Sequence, residues 1–347
     1  MVVLARFLPA AGVAVGVTLV LGPLSIILAR LFSRIDVPGL RHNDDKHIPR
    51  LGGLALFGGF LAGLVFLPGG NLRWGFITAG TVAFLVGFLD DVLDLRPGWK
   101  LTGQVAAATI LPLFGISIKY LSNPWGGMFS LGWLAVPLTV FWVVALMNMI
   151  NLIDGMDGLA AGVSAIAAAS LLFLPQCVQR PFVGALCLLT IGCTLGFLPY
   201  NFHPARTFMG DGGAHFLGFT LGFITVAGAL KGQAALTLSV PVIALAVPFF
   251  DTAYAIVRRW YKRQPIYLGD KEHLHHRLIF NGFNQRQTVL LLYLCSAVFG
   301  VGSNLLARLA PVHGAITLLG LVACAAGGIV WLNRANASGG KDRALPG

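Results

Sequence analysis

Asn148-Met-Ile-Asn151-Leu-Ile-Asp154-Gly-Met-Asp157-Gly-Leu-Ala160 interrupts a long apolar tract, with segments 133–149 and 159–175 on either side each long enough to span a bilayer. Two amides, two carboxylates and two glycines at such a place are costly, and ionisable groups at membrane depth are read as functional by default. The alternation of apolar span and short polar turn seen here repeats along the chain. It predicts an all-α fold, a polytopic transmembrane helical bundle.

Composition agrees with that pattern. The 347 residues are 56% hydrophobic and only 11% charged, and mean hydropathy is +0.80, outside the range of soluble domains. Roughly 20 apolar residues are needed per span. On that basis we read eleven helices, at 4–32, 51–68, 75–89, 100–116, 133–149, 159–175, 182–198, 214–231, 235–256, 288–306 and 314–332. The N-terminal run is expected to be an uncleaved first span. A single transmembrane domain over 1–332 thus carries polar loops at 33–50, 90–100, 148–158, 199–213 and 257–287, with a short polar tail at 333–347. The five cysteines show no CxxC spacing and read as small buried hydrophobes.

Charge orients the bundle. The side holding residues 33–50 carries 18 of the 24 Lys and Arg residues, which makes it cytoplasmic by the positive-inside rule. All 13 carboxylates fall on that same side. The rule places bases and leaves acids largely unconstrained, so the gathering of acids marks a site on the cytoplasmic face; the membrane is expected to be the plasma (inner) membrane. The formal net charge of +11 is scattered through short loops without a continuous stripe, which argues against nucleic acid and for an anionic substrate or membrane surface.

Four further stretches supply chemistry. In 34–53, Pro49 precedes Gly52 and Gly53, where free amides at a helix start suit an anion; a plain basic loop is the competing reading. Asp90 and Asp91 adjoin at a span end and repel unless a cation or proton intervenes. Hard carboxylate oxygens suit Mg2+ with substrate phosphates, although a solvated acid pair would look the same. Lys100 opens the next span within reach of a phosphate. In the segment from Pro199 to Gly218, Asp211 stands between Gly210 and Gly212 at a helix start, and Phe208 suits either base stacking or core. Finally, His273, His275 and His276 beside Arg277 offer donors for a pyrophosphate, while their spacing fits no common structural zinc pattern. Asn151, Asp154 and Asp157 can read a nucleobase edge or ribose hydroxyls; alternatively Asp154 or Asp157 caps the helix that follows.

Taken together, the Asp-Asp pair, Asn-x-x-Asn-x-x-Asp-Gly-x-Asp-Gly-Leu-Ala, Phe-Met-Gly-Asp-x-Gly and His-x-His-His-Arg resemble the polyprenyl-phosphate N-acetylhexosamine-1-phosphate transferase family, in order over residues 36 to 278. These enzymes start O-antigen (lipopolysaccharide), teichoic acid and related cell-wall glycans and are kin to the phospho-MurNAc-pentapeptide translocase. The His-x-His-His form resembles the sugar transferase branch. The resemblance implies transfer of GlcNAc 1-phosphate or a similar N-acetylhexosamine 1-phosphate from a UDP-sugar to undecaprenyl or another polyprenyl phosphate, with release of UMP. It implies Mg2+, or Mn2+ in its place, on Asp211, and Asp90 and Asp91 as the catalytic pair at the lipid phosphate or metal. Asn151, Asp154, Asp157, Asn201 and Phe208 match positions at the nucleoside; Lys100, His273, His275, His276 and Arg277 match positions at the phosphates or sugar. Many relatives carry a histidine shortly after the Arg41 position, where this chain has Asp44 and a displaced His47. A homodimer stays open. The rival class is a secondary transporter, which would place its charges near the midplane between repeats; no repeat is evident.

Overall fold

The computed structural model describes residues 5–31, 48–122, 128–174, 179–228, 242–243, 245–261, 274–307 and 320. Apolar runs become helices: α1 (Leu8–Leu31), α2 (Gly53–Leu64), α3 (Asn71–Leu93), α4 (Pro97–Leu113), α5 (Ala135–Ile153), α6 (Leu159–Leu172), α7 (Pro181–Asn201), α8 (Gly210–Gly228), α9 (Ala246–Tyr261), α10 (Leu274–Phe280) and α11 (Gln285–Leu306). Five helices among the described residues are long and apolar enough to cross a membrane: α1, α3, α5 together with the turn that precedes it, α7 and α11. With 56% of its residues hydrophobic, the chain is a helical membrane protein.

Each of the first ten expected spans has a described helix within or across it, whereas the expected span at 314–332 and the tail at 333–347 lie outside the described residues apart from residue 320. Two local differences matter. The segment between α4 and α5 holds a small antiparallel hairpin, β1 (Tyr120–Ser122) with β2 (Met128–Ser130), in which Tyr120 faces Ser130. Three-residue strands are too short to leave a period-2 signature. The expected loop at 257–287 contains the end of α9, all of α10 and the start of α11. Arg258 and Arg259 lie on α9 and His275, His276 and Arg277 on α10, charged and polar stretches of helix that a search for apolar runs passes over.

The helix α8 lies at the centre. Every residue from Gly210 to Gly228 is buried except Asp211. A helix that is apolar all round belongs inside a bundle, and α8 is packed chiefly against α3 and α5, with α2, α6 and α7 behind it. Lipid tails are as apolar as leucine, so close packing holds such helices together. Phenylalanines supply much of it: Phe57 stacks on Phe84 at 4.2 Å, and Phe216 meets Phe60 edge-on at 5.1 Å. Trp142 Nε1 donates to Thr225 Oγ1 at 2.7 Å, joining α5 to α8. At Gly87 on α3 an added Cβ would fall on the carbonyl oxygen of Asp211. The two backbones therefore touch where α8 begins.

Candidate active site

The entry to α8 is built by a chain segment far from it in sequence. Phe208 N–H donates to Pro49 O at 2.8 Å, and Gly52 N–H and Gly53 N–H donate to the carbonyls of Phe208 and Met209, each at 2.9 Å. Thr207 Oγ1 also donates to Pro49 O. The amides of Gly52 and Gly53, expected to be free for an anion, are thus committed to carbonyl oxygens. Gly210 follows with φ +67°, a left-handed conformation that glycine adopts without steric cost.

At this point Asp91 and Asp90 part company. Asp91 accepts the backbone N–H of Asp211 at 2.8 Å and of Gly212 at 2.9 Å, one on each carboxylate oxygen. It caps α8 from another helix. Both acids lie in the last turn of α3, where a negative charge works against the helix dipole by roughly 0.3–1 kcal/mol. For Asp91 the opposing partner is the positive end of α8. Asp90 instead accepts Leu95 N–H on Oδ1 and pairs with Lys100 Nζ at 2.9 Å through Oδ2.

Lys100 stands in the first turn of α4, also the unfavourable end for its charge. Two carboxylates hold it there, since its ammonium contacts both Asp90 Oδ2 and Asp211 Oδ2. Asn151 Nδ2 donates to the other oxygen of Asp211 at 2.9 Å. Four helix ends, those of α3, α4, α5 and α8, thereby meet at one cluster of two acids, a lysine and an amide. The ammonium marks a point on which oxygens of Asp90 and Asp211 converge. Such hard, anionic donors are the kind Mg2+ takes in ones and twos, with water and phosphate completing its shell. Among the described residues no group of three or more His, Cys, Asp and Glu forms a metal cage.

Asp157 and Asn201 form a second cluster that shapes the turn after Asn151. Asp157 is buried, and its Oδ2 contacts His203 Nδ1 at 2.8 Å and accepts Ala205 N–H at 3.0 Å. Asn201, also buried, accepts Gly158 N–H and donates to Thr207 O. Gly158 stands at the N-cap of α6, so neither Asp154 nor Asp157 is the N-cap residue of that helix. Tyr293 on α11 donates to Gly158 O at 2.5 Å. The turn at 154–158 is therefore held from α7 and from α11. Asp154, within that turn, and Phe208, ahead of α8, are both half-buried.

The basic motif is placed in part. Arg277 on α10 lies over the ring of Tyr254 on α9, 5.2 Å from its centroid, and Arg258 lies 5.5 Å from the same ring. His275 and His276 fall on α10, and His273 lies outside the described residues. Three participants went unselected at the sequence level: His203, Gln104 and His215. Gln104 and His215 are each four residues beyond a site residue on the same helix, Lys100 and Asp211. That i, i+4 spacing was the available signal.

The sequence matches known proteins over most of its length. The family model described as glycosyl transferase family 4 matches residues 73–229, the stretch that carries Asp90, Lys100, Asn151 and Asp211. A Bacillus subtilis protein named probable undecaprenyl-phosphate N-acetylglucosaminyl 1-phosphate transferase is 40% identical over 293 residues, covering 83% of this chain and 81% of that one.

The chain belongs to the polyprenyl-phosphate N-acetylhexosamine-1-phosphate transferase family.

A decaprenyl-phosphate N-acetylglucosaminephosphotransferase of Mycobacterium tuberculosis is 33% identical over 333 residues, covering 85% of this chain and 82% of that one. A phospho-N-acetylmuramoyl-pentapeptide-transferase of Desulforudis audaxviator is 35% identical over 330 residues, with 85% and 96% covered. As a member of the family the protein is an enzyme, a glycosyl-1-phosphate transferase.

Proposed function

We propose that this enzyme transfers N-acetylhexosamine 1-phosphate, GlcNAc 1-phosphate in the first instance, from a UDP-sugar to a polyprenyl phosphate such as undecaprenyl phosphate. UMP is the other product. The reaction would be the first membrane step of a cell-envelope glycan, carried out at the cytoplasmic face of the plasma membrane. The observation that carries this reading is the meeting of Asp90, Lys100, Asn151 and Asp211 at four helix ends. The names of the relatives support the lipid acceptor and the sugar phosphate.

Phosphoryl transfer asks a protein mainly for positioning and charge neutralisation. Lys100 supplies a cation that can move from the carboxylates to the oxygens of a pyrophosphate. Asp211, with Asp90 beside it, would hold Mg2+, which when bound neutralises charge on the transferred phosphate. Asn151 fixes the Asp211 carboxylate by occupying its second oxygen. Asp91 has both oxygens on α8 amides, so its part is to aim Asp211. A phosphate monoester is already largely anionic at pH 7, so the lipid nucleophile needs little help from a base. The turn at 154–158 and Phe208 offer amide, carboxylate and ring surfaces for the uridine, and the basic residues around Arg277 suit the phosphates or the sugar.

The test is direct. Detergent-solubilised protein given UDP-GlcNAc, polyprenyl phosphate and Mg2+ should release UMP and form a lipid of the expected mass. Absence of UMP with UDP-GlcNAc, UDP-GalNAc and a bacillosamine-type donor alike would sink the reading. Removing the divalent ion with EDTA should stop the reaction, and adding Mg2+ back should restore it.

A further inference from the structure

Directly beneath the reactive cluster lies a second polar tier on three of its four helices, α4, α5 and α8. Gln104 is one turn deeper than Lys100 on α4, His215 one turn deeper than Asp211 on α8, and Asn148 one turn deeper than Asn151 on α5. These three side chains are bonded to one another. Asn148 Nδ2 donates to Gln104 Oε1 at 2.7 Å and to Val144 O at 2.8 Å. Gln104 Nε2 is then the donor to His215 Nε2 at 2.9 Å, with a longer contact of 3.4 Å to Asn148 Oδ1. Gln104 and His215 are fully buried.

His215 is an expensive choice for a core position. With Nε2 accepting from Gln104, the ring hydrogen sits on Nδ1, and His215 Nδ1 has no hydrogen-bond partner among the described residues. A buried donor without a partner is penalised, and a leucine would fill the space without that penalty. What the imidazole adds is the Nε2 contact that ties α8 to α4. Through Asn148, α5 joins the same chain. Interhelical hydrogen bonds of this kind hold helices in register where lipid offers no alternative partner.

We infer that the Asn148–Gln104–His215 brace sets the spacing of Lys100, Asn151 and Asp211 one turn above it, making Gln104 and His215 positioning residues for the transfer step. This rests on the transferase reading proposed above. The brace touches neither substrate nor metal in this scheme and acts by fixing the helices that carry those groups. A rigid supporting shell matters because misplacing a reacting group by about 1 Å can lower a rate by about a hundredfold.

Two measurements test it on the full-length protein in detergent: steady-state transfer, and the rate at which an amine-acylating reagent labels each lysine, read by peptide mass. Gln104→Leu and His215→Leu should each lower kcat by about tenfold or more, with donor KM changed by less than about threefold. In both variants Lys100 should be labelled faster, freed from Asp90 and Asp211, while Lys119 keeps its rate. His215→Gln, which places an oxygen where Nε2 stood, should restore both turnover and slow Lys100 labelling. Unchanged Lys100 labelling in the two leucine variants would overturn the inference, as would acceleration at every lysine, the mark of general loosening. Failure of His215→Gln to rescue would overturn it too. If the unaltered protein transfers no sugar phosphate, the transferase reading falls while Lys100 labelling still decides whether the brace orders the cluster.

Discussion

Asp91 holds Asp211 by its backbone: the carboxylate at the end of α3 accepts the amide that opens α8, at 2.8 Å, from 120 residues away. The neighbouring Gly212 amide takes the second oxygen. One residue earlier, Asp90 faces the other way and meets Lys100. Adjacent acids thus serve as anchor and as charge partner.

Asp91→Asn should separate these roles. The amide keeps one acceptor and turns an N–H toward a backbone N–H, so the cap is half lost, at a cost of about 1–2 kcal/mol. The thermal midpoint is expected to fall together with activity. Asp90→Asn should lower activity with a smaller change in midpoint, as followed by fluorescence-detected unfolding. Equal midpoints for the two variants would contradict this division.

Lys100→Met leaves Asp90 and Asp211 facing each other without their cation. Breaking such a pair destabilises by roughly 1–3 kcal/mol, between the values for exposed and fully buried pairs because solvent reaches this cluster. Transfer should drop at least about a hundredfold, as for loss of a charge clamp. Added Mg2+ should raise the thermal midpoint of Lys100→Met more than that of the unaltered protein, since two carboxylates would then lack a resident ammonium.

Gly87→Ala sets two effects against each other. Alanine in a helix interior is favoured over glycine by about 1 kcal/mol, but the new methyl group would land on the Asp211 carbonyl. Backbone cannot swing aside as a side chain can, and overpacking costs about 1–3 kcal/mol. The clash should win. Lower stability and loss of transfer are expected; a more stable, active variant would show that α3 and α8 are not in contact there.

Asp157→Asn disturbs the second cluster alone. It replaces a carboxylate that contacts His203 and Ala205 N–H, so the turn at 154–158 loses its tie to the segment after α7. Initial rates should show a donor KM raised by about tenfold, with a smaller effect on the Mg2+ requirement. The opposite pattern would move Asp157 into the metal shell.

Much of this arrangement was legible from residue order, for reasons that differ by residue. Long apolar runs declare helices, and Asp90, Asp91, Lys100, Asn151 and Asp211 stood out because charged or amide groups at the ends of such runs are conspicuous. Hidden from view was the division of labour. Nothing local distinguishes Asp90 from Asp91, whose partners are amides 120 residues further on. Gln104 and His215 read as isolated polar residues inside apolar helices, and only packing reveals that they meet. Gly52 and Gly53 carried an N-terminal signal for an anion, yet their amides go to Phe208 and Met209, a pairing set by tertiary contact. Asn201 and Asp157 share a motif-like look with substrate ligands, while their hydrogen bonds run to Gly158, Thr207, His203 and Ala205.

A helix buried along its whole length except for Asp211 near its first residue has consequences for inhibition. Side chains on α8 are enclosed by neighbours on all sides, so substitutions there that blunt a compound aimed at Asp211 would also disrupt the packing of the bundle. Escape from such a compound should arise in the peripheral turns that face the uridine and sugar, and compounds anchored at the helix tip should be the harder ones to evade.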